Sequence, residues 1–86
     1  MYSERFGKEI IVTNHARLRM SQREVHEQLL LEVLETGEVE ELSHGHLFVH
    51  KLIAGRRDNL VCIAAVEEAR LVVKTVMVNW TRRVPL

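Results

Sequence analysis

From residue 15 onward the alternation of apolar and polar side chains changes period at Gly37. Between 15 and 36 apolar positions recur as on helices, and after Gly37 they recur as on strands. Val25, Leu29, Leu30, Val33 and Leu34 fall in one half of a helical wheel, with Glu24, Glu27, Gln28, Glu32 and Glu35 in the other. This predicts an amphipathic helix over about 22–36 that stops at Gly37 as its C′ residue. Ser21 and Glu24 have the spacing of a capping box at its start. His26 lies inside the apolar arc and is expected to be buried, whereas Leu31 interrupts the acidic half. Upstream, a short basic helix is expected over 15–20, capped by Asn14 or Thr13, with Ala16 and Met20 as its buried edge.

The run Glu9–Thr13 is β-branched and reads as a short strand, while residues 1–8 show no period and read as a loose lead-in. Beyond Gly37, strands are expected over 38–43, 46–54, 60–66 and 70–80. They are separated by turns at Gly45, at 55–59 and at 67–69. Hairpin connections of this length give antiparallel neighbours. The expected fold class is therefore α+β: two N-terminal helices packed on one face of a four-stranded antiparallel β-meander, with a short N-terminal strand. The last two strands are apolar on both parities, more than one layer of two short helices covers. A second copy over the open sheet face, as a C2 homodimer, is the expected remedy.

Composition narrows this picture. The 86 residues suit one domain, with its core over about 9–80, and 47% apolar with 28% charged residues argues against disorder. A lone cysteine, Cys62, excludes an internal disulfide and suits a reducing cytoplasm; its apolar neighbours make it a small buried hydrophobe. No apolar run approaches the ~20 residues of a membrane span, so no membrane partner is expected. The formal net charge is zero, yet it is unevenly spread. Residues 1–23 carry five basic and two acidic side chains, and residues 24–41 carry seven glutamates without a lysine or arginine. A neutral total weakens a nucleic-acid reading but leaves room for a local basic patch.

The candidate chemistry lies at His15, Arg19 and Arg23, spaced i, i+4 and i+8 along the basic segment. An imidazole and guanidinium groups one turn apart share a helix face. Metal-free cleavage of RNA needs a base for the 2′-hydroxyl, an acid for the leaving oxygen and cations for the charged phosphorane. His15 has the proton affinity for acid–base work near neutrality, and Arg19 with Arg23 supply a phosphate grip. If His15 begins the helix, the partial positive charge at the helix N-terminus favours an anion there. A second acid–base group is not evident, His46 and His50 being the nearest candidates. The structural alternative stands beside this one. His15 then only satisfies the strand–helix corner, and Arg19 and Arg23 pair with the glutamates of the next helix or with Glu67 and Glu68.

No cofactor is expected. His44, His46 and His50 share parity and, on one continuous strand, would suit zinc, but Gly45 is expected to turn the chain between them. Trp80 with Arg82 and Arg83 has the make-up of a base-stacking cationic tail, or of a strand end that closes the core. Arg56 and Arg57 read as a solvated hairpin tip.

The stretch HARLRMSQREV, followed by an acidic helix and ETGEVEE, resembles a bacterial family of uncharacterised domains, domain-of-unknown-function family 4258. The match falls on His15, Ala16, Arg19, Met20 and Arg23, then on Val25, Gly37, Glu38, Val39 and the strand LVVKTVMV with Thr75. That layout is similar to the RelE-like and BrnT-like fold of small bacterial ribonuclease toxins. The resemblance implies a metal-independent ribonuclease or RNA-binding domain, with RNA and an antitoxin protein as partners. Departures are visible: Arg23-Glu24-Val25 stands where the family has Arg-Gly-Ile, and Arg57-Asp58-Asn59 where a hairpin often has Asp-Gly. Two other classes stay open, a non-catalytic protein-interaction module and an inactive or immunity-like relative.

Overall fold

The structure is a computed structural model and describes residues 1–79. Trp80, Arg82 and Arg83 lie outside the described residues. The elements are β1 (Tyr2–Ser3), β2 (Lys8–Val12), α1 (Asn14–Gln22), α2 (Glu27–Thr36), β3 (Glu38–Glu41), β4 (His46–Leu52), β5 (Leu60–Glu67) and β6 (Leu71–Val78). One six-stranded sheet runs in the order β1-β2-β6-β5-β4-β3. The meander β3–β6 is antiparallel as expected. The four-stranded sheet is not: β2 joins it alongside β6 in parallel, Ile10 opposite Leu71 and Val12 opposite Val73, and β1 adds a further antiparallel strand. The reason lies in β6, whose Leu71, Val73 and Val76 are fully buried. A strand that deep needs hydrogen-bonding partners on both edges, and β5 serves only one of them.

Alternation puts Leu47 and Val49 of β4, and Val61, Ile63 and Ala65 of β5, on the face that carries the helices. With Ile10, Ala16, Met20, Val25, Leu29, Leu30, Val33 and Leu34 they form a single core. The apparent two-sided apolarity of β6 has a local cause. A β-bulge sets Ala64 opposite Thr75 and Ala65 opposite Val73, leaving Lys74 as the extra residue. Parity flips there, so Leu71 and Val73 before the bulge and Val76 after it all face the helices. The far face retains Cys62 and Val66, both buried, while Ile11 (38%) and Leu52 (66%) are exposed. Leu31, expected on the acidic face, is half-buried against the core.

The first residues are a clamp, not a loose lead-in. Ser3 is fully buried, and its Oγ donates to Glu35 Oε2 at 2.9 Å while accepting from the Phe6 amide. Glu35 also accepts from the amides of Glu4 (2.6 Å) and Arg5 (3.2 Å). Arg5 Nη1 in turn donates to the carbonyls of Leu34 and Gly37, satisfying the end of α2. Gly37 closes α2 with extended backbone, so its glycine is required by space and not by φ. A Cβ there would lie 2.6 Å from the Val33 carbonyl oxygen and 2.7 Å from that of His50.

Candidate functional site

Helix α1 is fixed to the sheet at its first turn. Thr13 is the N-cap: its Oγ1 accepts from the Ala16 amide at 3.1 Å and donates to the Lys74 carbonyl at 3.4 Å. Its amide donates to Val73. The bulge at Lys74 therefore turns a carbonyl toward the start of α1. Ala16 and Met20 face inward; about 100° round the helix from them lie His15, exposed, and Arg19, half-buried, and Arg23, also half-buried, follows as the C-cap. Steps of four residues space these groups by about 6 Å along the axis.

The expected pairing of these arginines with glutamates does not occur among the described residues. Arg17 takes Glu27 at 3.2 Å, Lys51 takes Glu32 at 3.1 Å, and Lys8 takes Glu67 at 3.1 Å. Arg19 donates to the neutral Gln22 side chain at 2.9 Å, and Arg23 has a buried Nη1 with no hydrogen-bond partner. The stripe thus keeps its cationic groups uncompensated.

The turn after α1 differs from its expected form. Helix α1 runs on through Ser21 and Gln22 to its C-cap at Arg23, so no capping box forms at Ser21. Glu24 then adopts φ 54°, a left-handed conformation uncommon for a side-chain-bearing residue. The N-cap of α2 is His26, whose Nδ1 accepts from the Leu29 amide at 3.1 Å. It is exposed, not buried, because the helix begins one residue after it. The sequence carried a signal for this start. Val25 and Leu30 stand at N′ and N4, the positions of a hydrophobic staple, and both are buried.

Arg56 is not a solvated hairpin tip either. It reaches from the β4–β5 loop to donate to the carbonyls of Glu24 (2.7 Å) and Arg23 (2.8 Å). Its Nε and Nη2 also engage Asp58 at 3.1 and 2.9 Å. The Arg56 hydrogen bond holds the Asp58 carboxyl below its ordinary range. Met20, Ser21, Glu24, Val25 and His26 line a cleft of about 340 Å³ at this turn.

The remaining candidates separate. His44 (φ 58°) and Gly45 (φ 78°) form a tight turn, closed by the His46 amide on the Ser43 carbonyl. His44 therefore leaves the strand, and the three histidines do not share one strand face. His50 lies on the far side of the sheet from α1, in a row with Glu38 and Cys62 on neighbouring strands. Its Nε2 is 3.7 Å from Glu38 Oε2, beyond hydrogen-bonding distance. His50 thus belongs to the layer opposite His15 and does not complete its chemistry. Burial, aided by the charge of Glu40, pushes the Cys62 thiol up to about 12, which removes it as a nucleophile.

No helix of the described residues is long and apolar enough to cross a membrane. No curated protein and no solved structure matches the chain. Residues 12–78, from the strand before α1 to the last residue of β6, match the family described as Domain of unknown function (DUF4258), and the chain belongs to that family.

Proposed function

We propose that this domain binds single-stranded RNA along the outer edge of α1 and cleaves it without a metal ion, in the manner of the RelE-like toxins its motif resembles. One observation carries the reading: Arg19 and Arg23 stay outside every ion pair of the described residues although seven glutamates follow in residues 24–41. Desolvating cations without a carboxylate partner is costly, and a phosphate is the partner a guanidinium fork fits. In this reading Arg19 and Arg23 grip the phosphate. His15 takes the proton of the 2′-hydroxyl, the 2′-oxygen attacks phosphorus, and the bond to the 5′-oxygen breaks. The products are a 2′,3′-cyclic phosphate and a 5′-hydroxyl, the latter receiving its proton from the imidazolium or water. A toxin of this kind acts in the cytoplasm and is held in check by a protein antitoxin.

Fluorescence anisotropy with a labelled RNA oligomer tests the grip. Log K should fall against log salt with a slope of about −0.7 per phosphate contacted, and Arg19→Ala should remove about one contact's worth. Cleavage should persist in EDTA and disappear in His15→Ala while binding remains. Absence of binding at micromolar protein in low salt overturns the reading. The alternative, a homodimeric interaction module, is favoured by the exposure of Leu52 and Ile11 on the far sheet face. Sedimentation equilibrium at high micromolar protein decides it, since that reading requires a dimer.

A further inference from the structure

The cleft at the α1–α2 turn combines three features that the phosphate grip does not use. Its floor is apolar, built from Met20 and Val25, and Ser21, Glu24 and His26 stand around it. Among the described residues the Ser21 hydroxyl and the Glu24 carboxylate make no hydrogen bond or ion pair, and neither does Nε2 of His26. The tautomer of that imidazole follows from its cap. Nδ1 accepts the Leu29 amide, so it carries a lone pair, and the proton of the neutral ring sits on Nε2. The cleft thus offers one ring N–H donor, one hydroxyl and one carboxylate acceptor over an apolar surface.

The turn is also held in place before any ligand arrives. The Val25 amide donates to the Met20 carbonyl at 2.9 Å and the Glu24 amide to Ser21 at 3.3 Å. From outside, the Arg56 fork holds the carbonyls of both Arg23 and Glu24. Glu24 sits there with φ 54°, a conformation that costs free energy for a residue with a Cβ and that clusters at binding sites. Arg23, part of the phosphate stripe, is its immediate neighbour.

We propose that this cleft is a base-recognition pocket, and that the base it selects is an unpaired guanine next to a phosphate held by Arg23. The inference rests on the RNA-binding reading above. Single-stranded RNA is read by hydrogen bonds to exposed base edges and by packing of the base faces. Guanine alone among the four common bases presents two N–H donors side by side, N1–H and the N2 amino group. A carboxylate accepts two parallel donors, which is the arrangement Glu24 offers. The His26 Nε2–H then meets the guanine O6 acceptor, and Met20 with Val25 cover a face of the ring. Adenine and cytosine place an acceptor beside their amino group, against the Glu24 carboxylate, and uracil has a single N–H between two acceptors. Each of them leaves like charges facing or a polar group unpaired.

Two measurements test this separately from the phosphate grip. In the first, anisotropy compares guanine-free RNA octamers with the same octamers carrying one central guanine. The guanine oligomer should bind roughly ten- to hundredfold tighter. Glu24→Gln, which replaces one acceptor oxygen with a donor, should bring it down to the level of the others. In the second, methyl NMR follows Met20 and Val25 during titration with each of the four nucleoside monophosphates. Only GMP should shift both methyl sets, and Glu24→Gly, which relieves the backbone strain and so guards against a folding artefact, should abolish that shift. Octamers that all bind equally, with a steep salt dependence, would keep the RNA reading and overturn the pocket. GMP shifts without octamer binding would support the pocket and overturn the grip. Equal shifts from all four nucleotides, or none, overturn the proposal.

Discussion

Truncating Glu35 to alanine should destabilise the protein more than any other single change on its polar surface. Three donors converge on that carboxylate: Ser3 Oγ and the amides of Glu4 and Arg5. They are not equivalent. The two amide bonds are exposed, so water takes over most of their role when the carboxylate is removed. Ser3 is fully buried, and its hydroxyl proton has no other acceptor among the described residues. A buried hydrogen bond to a charged group contributes about 1.5–3 kcal/mol. With a small remainder from the exposed pair, the expected loss is about 2–3 kcal/mol for Glu35→Ala and about 1 kcal/mol for Glu35→Gln. A domain of this size has a total stability on the order of 5–10 kcal/mol, so the change is a large fraction. In urea it should lower the midpoint by roughly 2–3 M at an m-value near 1 kcal/mol/M. Amide exchange should accelerate across β1 and β2 before the meander responds. The double-mutant cycle with Ser3→Ala carries the decision. A coupling of at least about 1 kcal/mol is required, and additivity within 0.5 kcal/mol would refute the clamp.

Gly37→Ala forces a Cβ against two backbone carbonyl oxygens that cannot step aside, and thermal denaturation should register a loss of about 1–3 kcal/mol although φ there suits any residue. His26→Ala should cost about 1 kcal/mol of stability through loss of the α2 cap, and His26→Asn should recover most of it; equal losses in both would show that the cap does not matter. The Cys62 thiol is raised from 9.0 to about 12 by burial, so the folded state holds a proton that the unfolded chain has lost. Its contribution is complete below pH 9 and declines above it, by about 1.4 kcal/mol per pH unit up to about 12. Urea midpoints between pH 8 and 10.5 should therefore fall more steeply in the wild type than in Cys62→Ala.

Periodicity located both helices and the four strands of the meander because their patterns are local: a five-residue apolar arc in α2 and turn residues at Gly45 and Gly55. The place of β2 was not legible in the same way. EIIVT reads as a strand, but nothing in it names β6 as its neighbour, since parallel pairing is decided by what the distant strand leaves unsatisfied. The bulge at Lys74 hid a second fact. Residues on either side of it look two-faced to an alternation rule that assumes constant parity. At the site, His15 and Arg19 stand one turn apart on α1 as their spacing implies, and Arg23 falls at its C-cap. The errors fell at its end, where Ser21-Gln-Arg-Glu24 matched a cap by composition while Val25 and Leu30 fixed the true start one turn later. The reach of Arg56 to the α1–α2 turn was unreadable because its partners there are carbonyls, which carry no sequence identity.

The parallel seam between β2 and β6 has a consequence for the order in which the chain acquires its structure. β2 leaves the ribosome well before β6, which follows the other seven elements of the fold. Contacts between such distant segments form slowly, because the whole intervening loop must be closed before they offer any return. Until β6 is made, β2 has only the two-residue β1 beside it, and Ile10, almost fully buried in the finished core, has no sheet to enter. The helices and the β3–β5 hairpins can assemble meanwhile from local contacts alone. The arrival of β6 then acts as a lock. It docks on β5, receives β2 on its other edge, and presents Val73 and Lys74 to Thr13, so the capping of α1 is completed by the same event that completes the sheet.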